Sequence, residues 1–359
     1  MSPPRTSLSL GEHDEGRRLD RILRRLLPDV SLGRIYALIR TGDIRVSGRR
    51  RNASYRVERG DRLELPEALA PAAGAGSAAS GVGAPEAAGG GAIPPQLAAR
   101  VLYENEHLLA VDKPAGLPVH GRDGLLAALR PYLEGGARKS ISFRPGPIHR
   151  LDRNTSGLML FPRSLRGSQR ASQLLRTGRL EKGYLALLSG RLTEVEVWID
   201  MLERDRSRNV TKVRPDGTGR RARSVAAPLL HGADRGAEIT LALIRIETGR
   251  THQIRAQAGA HGYPLLGDTK YGGRGSRSPG RAGSTAAEDG YFLHAAVLLN
   301  RDPDEVFPQR VVCAPPTGER RRELASRLGV RAGTLDAQTD CAALGEALSA
   351  LVYKEPGDQ

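Results

Sequence analysis

One segment divides this chain. There is no Lys or Arg between Arg62 and Arg100, and from Glu67 to Ala99 the sequence is mostly Ala, Gly, Pro and Ser. Such a stretch has too little apolar side chain to offset the entropy of ordering its backbone, so residues 67–99 are expected to be a flexible linker. Two bodies follow: a small module at about residues 10–66 and a larger one at about residues 100–328. A tail of residues 329–359 carries Leu344, Leu348 and Leu351 at helical spacing and is expected to hold a terminal helix. A chain of 359 residues has room for both cores.

In the small module, Leu19, Ile22, Leu23, Leu26 and Leu27 recur at i, i+3, i+4, i+7 and i+8, the apolar face of one helix. Ser31 is placed to cap a second helix bearing Leu32, Ile35, Leu38 and Ile39, which Gly42 ends. Ile44 and Val46, then Val57, Leu63 and Leu65, predict short strands, with a turn at Gly60-Asp61. Fourteen Arg face nine acids in this window, so the module is basic as well as compact.

The larger module reads differently. Short apolar runs recur at 101–103, 108–111, 158–161, 184–188, 225–230 and 239–246, with helical spacing at 125–133, 165–175, 251–260 and 320–328. Many strands and few helices, without strict alternation, predict an α+β fold with a mostly antiparallel sheet and flanking helices. Residues 203–224, dense in Arg, are expected to form an exposed loop. Residues 272–290, rich in Gly, Ser and Arg, are expected to be disordered or to order only on binding RNA.

Charge narrows the partners. The chain carries 55 basic residues against 40 acidic ones, a formal charge of +15, which favours a polyanion such as nucleic acid. Only six of the basic residues are Lys, so an Arg-rich genome also contributes to this balance. Cys313 and Cys341 are too few for a disulfide framework or a cysteine zinc site and read as incidental thiols. No apolar run approaches a membrane span and residues 1–11 lack a signal-peptide core, so a cytoplasmic protein is expected.

The chemistry is concentrated in His149-Arg150-Leu151-Asp152-Arg153-Asn154-Thr155-Ser156-Gly157-Leu158, a polar loop running into an apolar strand. Taken alone, such an Asp can cap a helix, sit at the surface, or furnish half of a metal site. His149 and Asp152 offer only two ligands and no carboxylate cluster adds a third, so no metal is expected. Three further segments stand around this one in order: Leu109 to Gly116 with Val119-His120-Gly121, Lys182 to Leu187, and Thr248 to Arg255 continuing to Gly267-Asp268 and Tyr271-Gly272. Leu293-His294-Ala295 follows. Together they resemble the RluA family of RNA pseudouridine synthases over about 230 residues. The small module, through Arg18-Leu19-Asp20, Ile35 to Val46 and Gly60-Asp61, resembles the S4 RNA-binding domain, although a basic helical domain that packs on its neighbour would also fit. The string Pro118 to Leu125 is most similar to the RluC branch, with the long linker and the insertion after Gly273 as departures.

The resemblance implies conversion of uridine to its C5-linked isomer with Asp152 as nucleophile, Arg255 as its bidentate guanidinium partner, and Tyr184 stacked on the extracted base. Arg150, two residues before Asp152, would enter the gap the base leaves or bind phosphate. Arg34, Arg40, Arg45 and Arg49 are the candidate S4 contacts to RNA. His149, Thr155 and Ser156 read as loop-shaping residues and His252 and His294 as structural. No cofactor is implied, because the reaction conserves atoms and redox state. The substrate implied is large-subunit (23S) ribosomal RNA, with transfer RNA as the alternative for the same chemistry. A monomer without protein partners or a membrane role is expected. An inactive S4-containing assembly factor and a glycosidase-like hydrolase are the rival functions; the second would need a carboxylate paired with Asp152.

Overall fold

The computed structural model describes residues 4–11, 14–69, 92–136, 143–273 and 290–351. Most of the expected linker (70–91) and of the Gly/Ser/Arg loop (274–289) lies outside the described residues. The chain forms two units: residues 1–93 with 129–146 and 162–168, and the remainder.

The first unit contains β1 (Arg5–Ser9), α1 (Leu19–Leu26), α2 (Leu32–Thr41), β2 (Arg45–Val46) and β3 (Arg62–Pro66). Its antiparallel sheet has the order β1-β3-β2. The Ser31 hydroxyl accepts the Arg34 N–H at 3.4 Å and so caps α2. Gly42 closes the helix at φ 79°, a left-handed turn that costs Gly little. Leu19, Ile22 and Leu23 of α1 pack with Ile35 and Ile39 of α2 over Val46, Leu63 and Leu65 of the sheet. Strand β1 is not evident from the sequence, since its burial alternates around a single large apolar residue, Leu8.

The other elements, in chain order, are α3 (Pro95–Ala98), β4 (Val101–Glu104), β5 (Leu108–Lys113), α4 (Leu125–Gly136), β6 (Ser156–Pro162), α5 (Leu165–Arg176), β7 (Leu180–Ser189), β8 (Glu196–Asp205) and β9 (Val210–Val213). Then come β10 (Arg220–Asp234), β11 (Ala237–Ile246), α6 (Gln253–Ala260), β12 (Leu293–Asn300), β13 (Val311–Cys313), α7 (Gly318–Leu328), α8 (Ala332–Thr339) and α9 (Cys341–Ala350). The ten-stranded sheet has the order β4-β5-β6-β12-β7-β11-β10-β8-β9, with β13 beside β12. It is mostly antiparallel, and β6 runs parallel to β12. Every residue of β6 and β12 is buried, which is why β6 reads as a continuous apolar run without alternation; β12, which includes His294 and Asn300, is not among the expected runs. On one side, Leu185, Leu243 and Val297 of the sheet pack with Leu324, Leu328, Leu344 and Leu348 of the C-terminal helices. In a second cluster, Leu108, Leu158, Leu160 and Leu298 pack with Leu174 of α5.

Two expectations change. Residues 203–224 hold the end of β8, β9 and the start of β10, so much of this Arg-rich stretch is hairpin; charged side chains on an exposed sheet edge conceal the strand pattern. Cys313 and Cys341 are joined in a disulfide, with Cα atoms 5.5 Å apart, because β13 and the start of α9 bring them face to face.

Candidate active site

The Asp152 loop is fixed to the sheet at both ends. Upstream, Ile148 N–H donates to Leu160 O at 3.1 Å, and Leu160 N–H donates to His149 Nε2 at 3.2 Å, so the loop leaves along the edge of β6. Burial depresses the His149 imidazole to about 3, helped by the Lys182 charge, which keeps the ring neutral and able to accept. Downstream, Thr155 N–H closes a turn on Asp152 O at 3.2 Å. Gly157 then enters β6 at φ 105°, and a Cβ there would lie 2.2 Å from Ala295 O. Only Gly permits that approach to β12, which sets the register Ser156↔His294 beside the loop.

Asp152, one-fifth exposed, stands where two clefts meet. One cleft, of about 300 Å³, is walled by Tyr184 and Lys182 of β7, Leu293 of β12 and the segment from Gly249 to Arg255. The other, about 440 Å³, is basic, with Arg150, Arg153, Arg204, Arg255, Lys270 and His120 in its lining. The Asp152 charge favours the protonated forms of Lys113, Tyr184, His252, Arg255 and Tyr291, so all five lie within its electrostatic reach. Asp152, Tyr184, Arg255 and Arg150 line one cleft, which brings the expected constellation together.

Tyr184 is buried, and burial followed by the Asp152 charge pushes its phenol well above the ordinary value. It therefore stays a neutral donor beside an apolar wall. His252 occupies left-handed backbone at φ 52° as the residue before α6. Its Nδ1 lies 2.7 Å from the Tyr271 hydroxyl and its Nε2 3.9 Å from Asp152 Oδ2. Burial lowers its pKa against the opposing pull of Asp152, leaving a neutral imidazole against the carboxylate. The sequence suggests a structural His here; the structure puts it on the cleft wall.

Arg255 differs from expectation in its grip. Its Nε and Nη2 donate to the two oxygens of Asp268 at 2.6 and 2.8 Å, so this bidentate pairing falls on Asp268, fully buried at the turn after Gly267. The physical reason is position: α6 turns that edge of the fork toward the 265–268 turn, and the Asp152 charge acts on the same guanidinium from within the cleft. Burial pulls the Arg255 pKa down, but the Asp268 hydrogen bonds, the Tyr291 phenol and the two carboxylates outweigh it and leave the pKa raised. The rings of Tyr271 and Tyr291 lie 5.0 and 4.4 Å from its Cζ, adding cation–π support.

Lys113 has no role in the sequence reading beyond its place in a motif. It is completely buried, and its Nζ donates to Pro114 O, Leu117 O and Arg153 O at 2.9, 2.7 and 2.9 Å. The last of these carbonyls belongs to the residue after Asp152, so the end of β5 holds the loop from beneath. Ser156 Oγ, beside the loop, lies 2.7 Å from His294 Nδ1 and also accepts from Arg320 of α7. In the first unit, Arg34, Arg40 and Arg49 are exposed along α2 and the following turn, free to meet phosphate, while Arg45 Nε is committed to Gly42 O at 3.1 Å.

With this geometry in view, the comparisons with known proteins are specific. Residues 107–260 match the family model described as RNA pseudouridylate synthase, and residues 17–63 match the S4 domain. A protein of Escherichia coli K12 named ribosomal large subunit pseudouridine synthase C is 30% identical over 332 residues, covering 86% of this chain and 92% of its own length. The protein of the same name from Vibrio cholerae is 30% identical over 313 residues, covering 82% and 90%. Among solved structures, human RNA pseudouridylate synthase domain containing 4 aligns with a TM-score of 0.48 at 19% identity, covering 66% of this chain and 95% of that one. Among the described residues, no helix is long and apolar enough to cross a membrane.

Proposed function

This chain belongs to the RNA pseudouridylate synthase family and carries an S4 domain, and on that premise we propose that it isomerises defined uridines of 23S ribosomal RNA with Asp152 as the nucleophile. The observation that carries the reading is the position of Asp152 at the junction of two clefts, one lined by Tyr184 and Lys182 and the other strongly basic. The basic cleft suits the RNA backbone, and the one beside Tyr184 suits a single base taken out of its stack.

In the overall reaction the N1–C1′ bond breaks, the base turns, C5 bonds to C1′, and the proton lost from C5 is balanced by one gained at N1. A carboxylate assists this by attacking the sugar, by adding to the ring, or by taking a sugar proton. Each route needs Asp152 ionised at the junction of sugar and base. Arg255, held by Asp268, supplies a fixed positive charge there. The neutral Tyr184 ring offers a stacking surface whose hydroxyl keeps its proton. Arg150 stands exposed between the two clefts, placed to fill the space a base vacates. The S4 arginines add phosphate contacts and local concentration without touching the reacting atoms. A monomeric, cytoplasmic enzyme is part of the same proposal.

The test is to incubate the protein with ribosomal and transfer RNA transcripts and map pseudouridine by chemical derivatisation and primer extension. Product at a defined 23S site, absent with Asp152→Ala, is expected. Product only on transfer RNA would move the substrate, and binding without product on either would mark an RNA-binding factor.

A further inference from the structure

Lys182 is a cation inside the cleft that the chemistry above leaves unused. It lies on β7 two residues before Tyr184, so both side chains project from the same face of the strand, and both line the same cleft as Asp152. Its Nζ sits 3.7 Å from where a side chain at Gly249 would begin, and its charge reaches His149. Burial lowers its pKa, with no carboxylate opposing that shift. Glu247, the other acid of the cleft wall, is bonded to Arg223 and has Arg245 at 3.9 Å. Among the described residues, no hydrogen bond or ion pair engages the Lys182 ammonium. Lys182 is half-buried, and a partly desolvated charge without its counter-charge works against folding, so a cation kept here points to a ligand that brings negative charge into the cleft.

We propose that Lys182 is a further catalytic residue, whose ammonium stabilises the negative charge that develops on the uracil ring as the N1–C1′ bond breaks. The inference rests on the reading that this cleft isomerises uridine. The bonding pair leaves C1′ with the base and spreads over N1 and the two carbonyl oxygens. The C5–C1′ bond then forms from ring electrons, C5 gives up its proton, and N1 takes one. Lys182 neither gives nor receives a proton in this sequence; it supplies fixed positive charge from a half-buried position, where such charge acts more strongly than in open water. Backbone phosphates are better matched to Arg150 and Arg250, which are exposed at the rim, than to an ammonium beside Tyr184.

The experiment uses the full chain and a transcript on which the wild type forms pseudouridine, in single turnover with saturating enzyme. Lys182→Met is expected to slow product formation by about 100-fold, with the RNA Kd changed by less than about threefold and Lys182→Arg recovering part of the rate. A second transcript carries 5-fluorouridine at the target, whose ring bears negative charge more readily. Loss of its N-glycoside, followed by chromatography after nuclease digestion, is expected to show a Lys182→Met penalty of about tenfold or less. Melting of Lys182→Met is expected at or above the wild-type temperature. Equal penalties on the two transcripts, a weaker Kd with a salt slope reduced by about one, or a lowered melting temperature would overturn the proposal in favour of a phosphate contact or a structural lysine. Absence of wild-type product on the uridine transcript would sink the functional reading itself, and this inference with it.

Discussion

Replacing Asp268 with Asn tests how the cleft holds its central cation. The Asp268 side chain is fully buried and that of Arg255 is only 4% exposed, so neither is appreciably screened by solvent. Asn keeps the shape and one acceptor but removes the charge and turns an NH2 group toward one guanidinium donor. Removing one partner of a buried ion pair costs about 3–5 kcal/mol. The surviving acceptor puts Asp268→Asn near the lower end, about 3 kcal/mol. In a unit of this size that corresponds to a fall in Tm of roughly 6–12 °C. The catalytic effect is separate. A guanidinium released from Asp268 is drawn toward Asp152, and misplacing both groups by about an ångström is expected to lower kcat about 100-fold. Scanning calorimetry and single-turnover pseudouridine formation at a temperature where the variant remains folded read the two effects independently. A Tm within 2 °C of wild type together with kcat within threefold would refute the claim that Asp268 positions Arg255.

Three further expectations can be checked alongside. Tyr184→Phe, which deletes a buried hydroxyl and keeps the ring, is expected to lower turnover more than tenfold while RNA affinity, read by filter binding, changes less than about twofold; equal losses would contradict a role in the chemistry. Burial, with Arg320 nearby and Asp152 and Asp112 opposing, brings Lys113 to about 8, so the ammonium that serves three carbonyls is present below that pH and lost above it. The kcat of the wild type is expected to fall as pH rises through about 8, a limb that Lys113→Met should lack. In stability the sign is opposite: a folded pKa of about 8 below the ordinary 10.5 means the unfolded chain holds more protons between those values, so wild type gains stability relative to Lys113→Met across that window by up to about 3 kcal/mol, measured by denaturant titration. Gly157→Ala places a Cβ against Ala295 O in left-handed backbone and is expected to lower both Tm and activity, whereas Gly178→Ala, in open space at φ 67°, should cost only about 1 kcal/mol.

The two helices of the small unit are legible because their ends are chemically marked, by Ser31 at one boundary and Gly42 at another, and because α1 buries one clean face. The Asp152 loop is legible because a polar string runs directly into an apolar strand. Asp268 has no role in the sequence reading although it stands inside a recognised segment. The missing inference was electrostatic: an Arg destined for a buried helix needs a carboxylate that is buried with it. Lys113 was hidden for a similar reason, since its partners are carbonyls, which any residue type supplies. Strand β8 escaped because Glu196, Asp200, Glu203, Arg204 and Asp205 break up its apolar residues, and β9 because its four residues, Val210–Val213, are too few to show a period. Tyr291 sits against Arg255 only because β12 returns to the middle of the sheet, a long-range fact that no local pattern encodes.

The parallel seam between β6 and β12 has a consequence for how the protein comes into being. Ser156 must wait for His294, 138 residues later, before its strand has a neighbour on that side. During translation at roughly 5–20 residues per second, that is a delay on the order of ten seconds. The hydrophobic contacts of the S4 fold, by contrast, close within the first 65 residues. A ribosome making this chain therefore displays a finished arginine-bearing module well before the Asp152 loop has its seat beside β12.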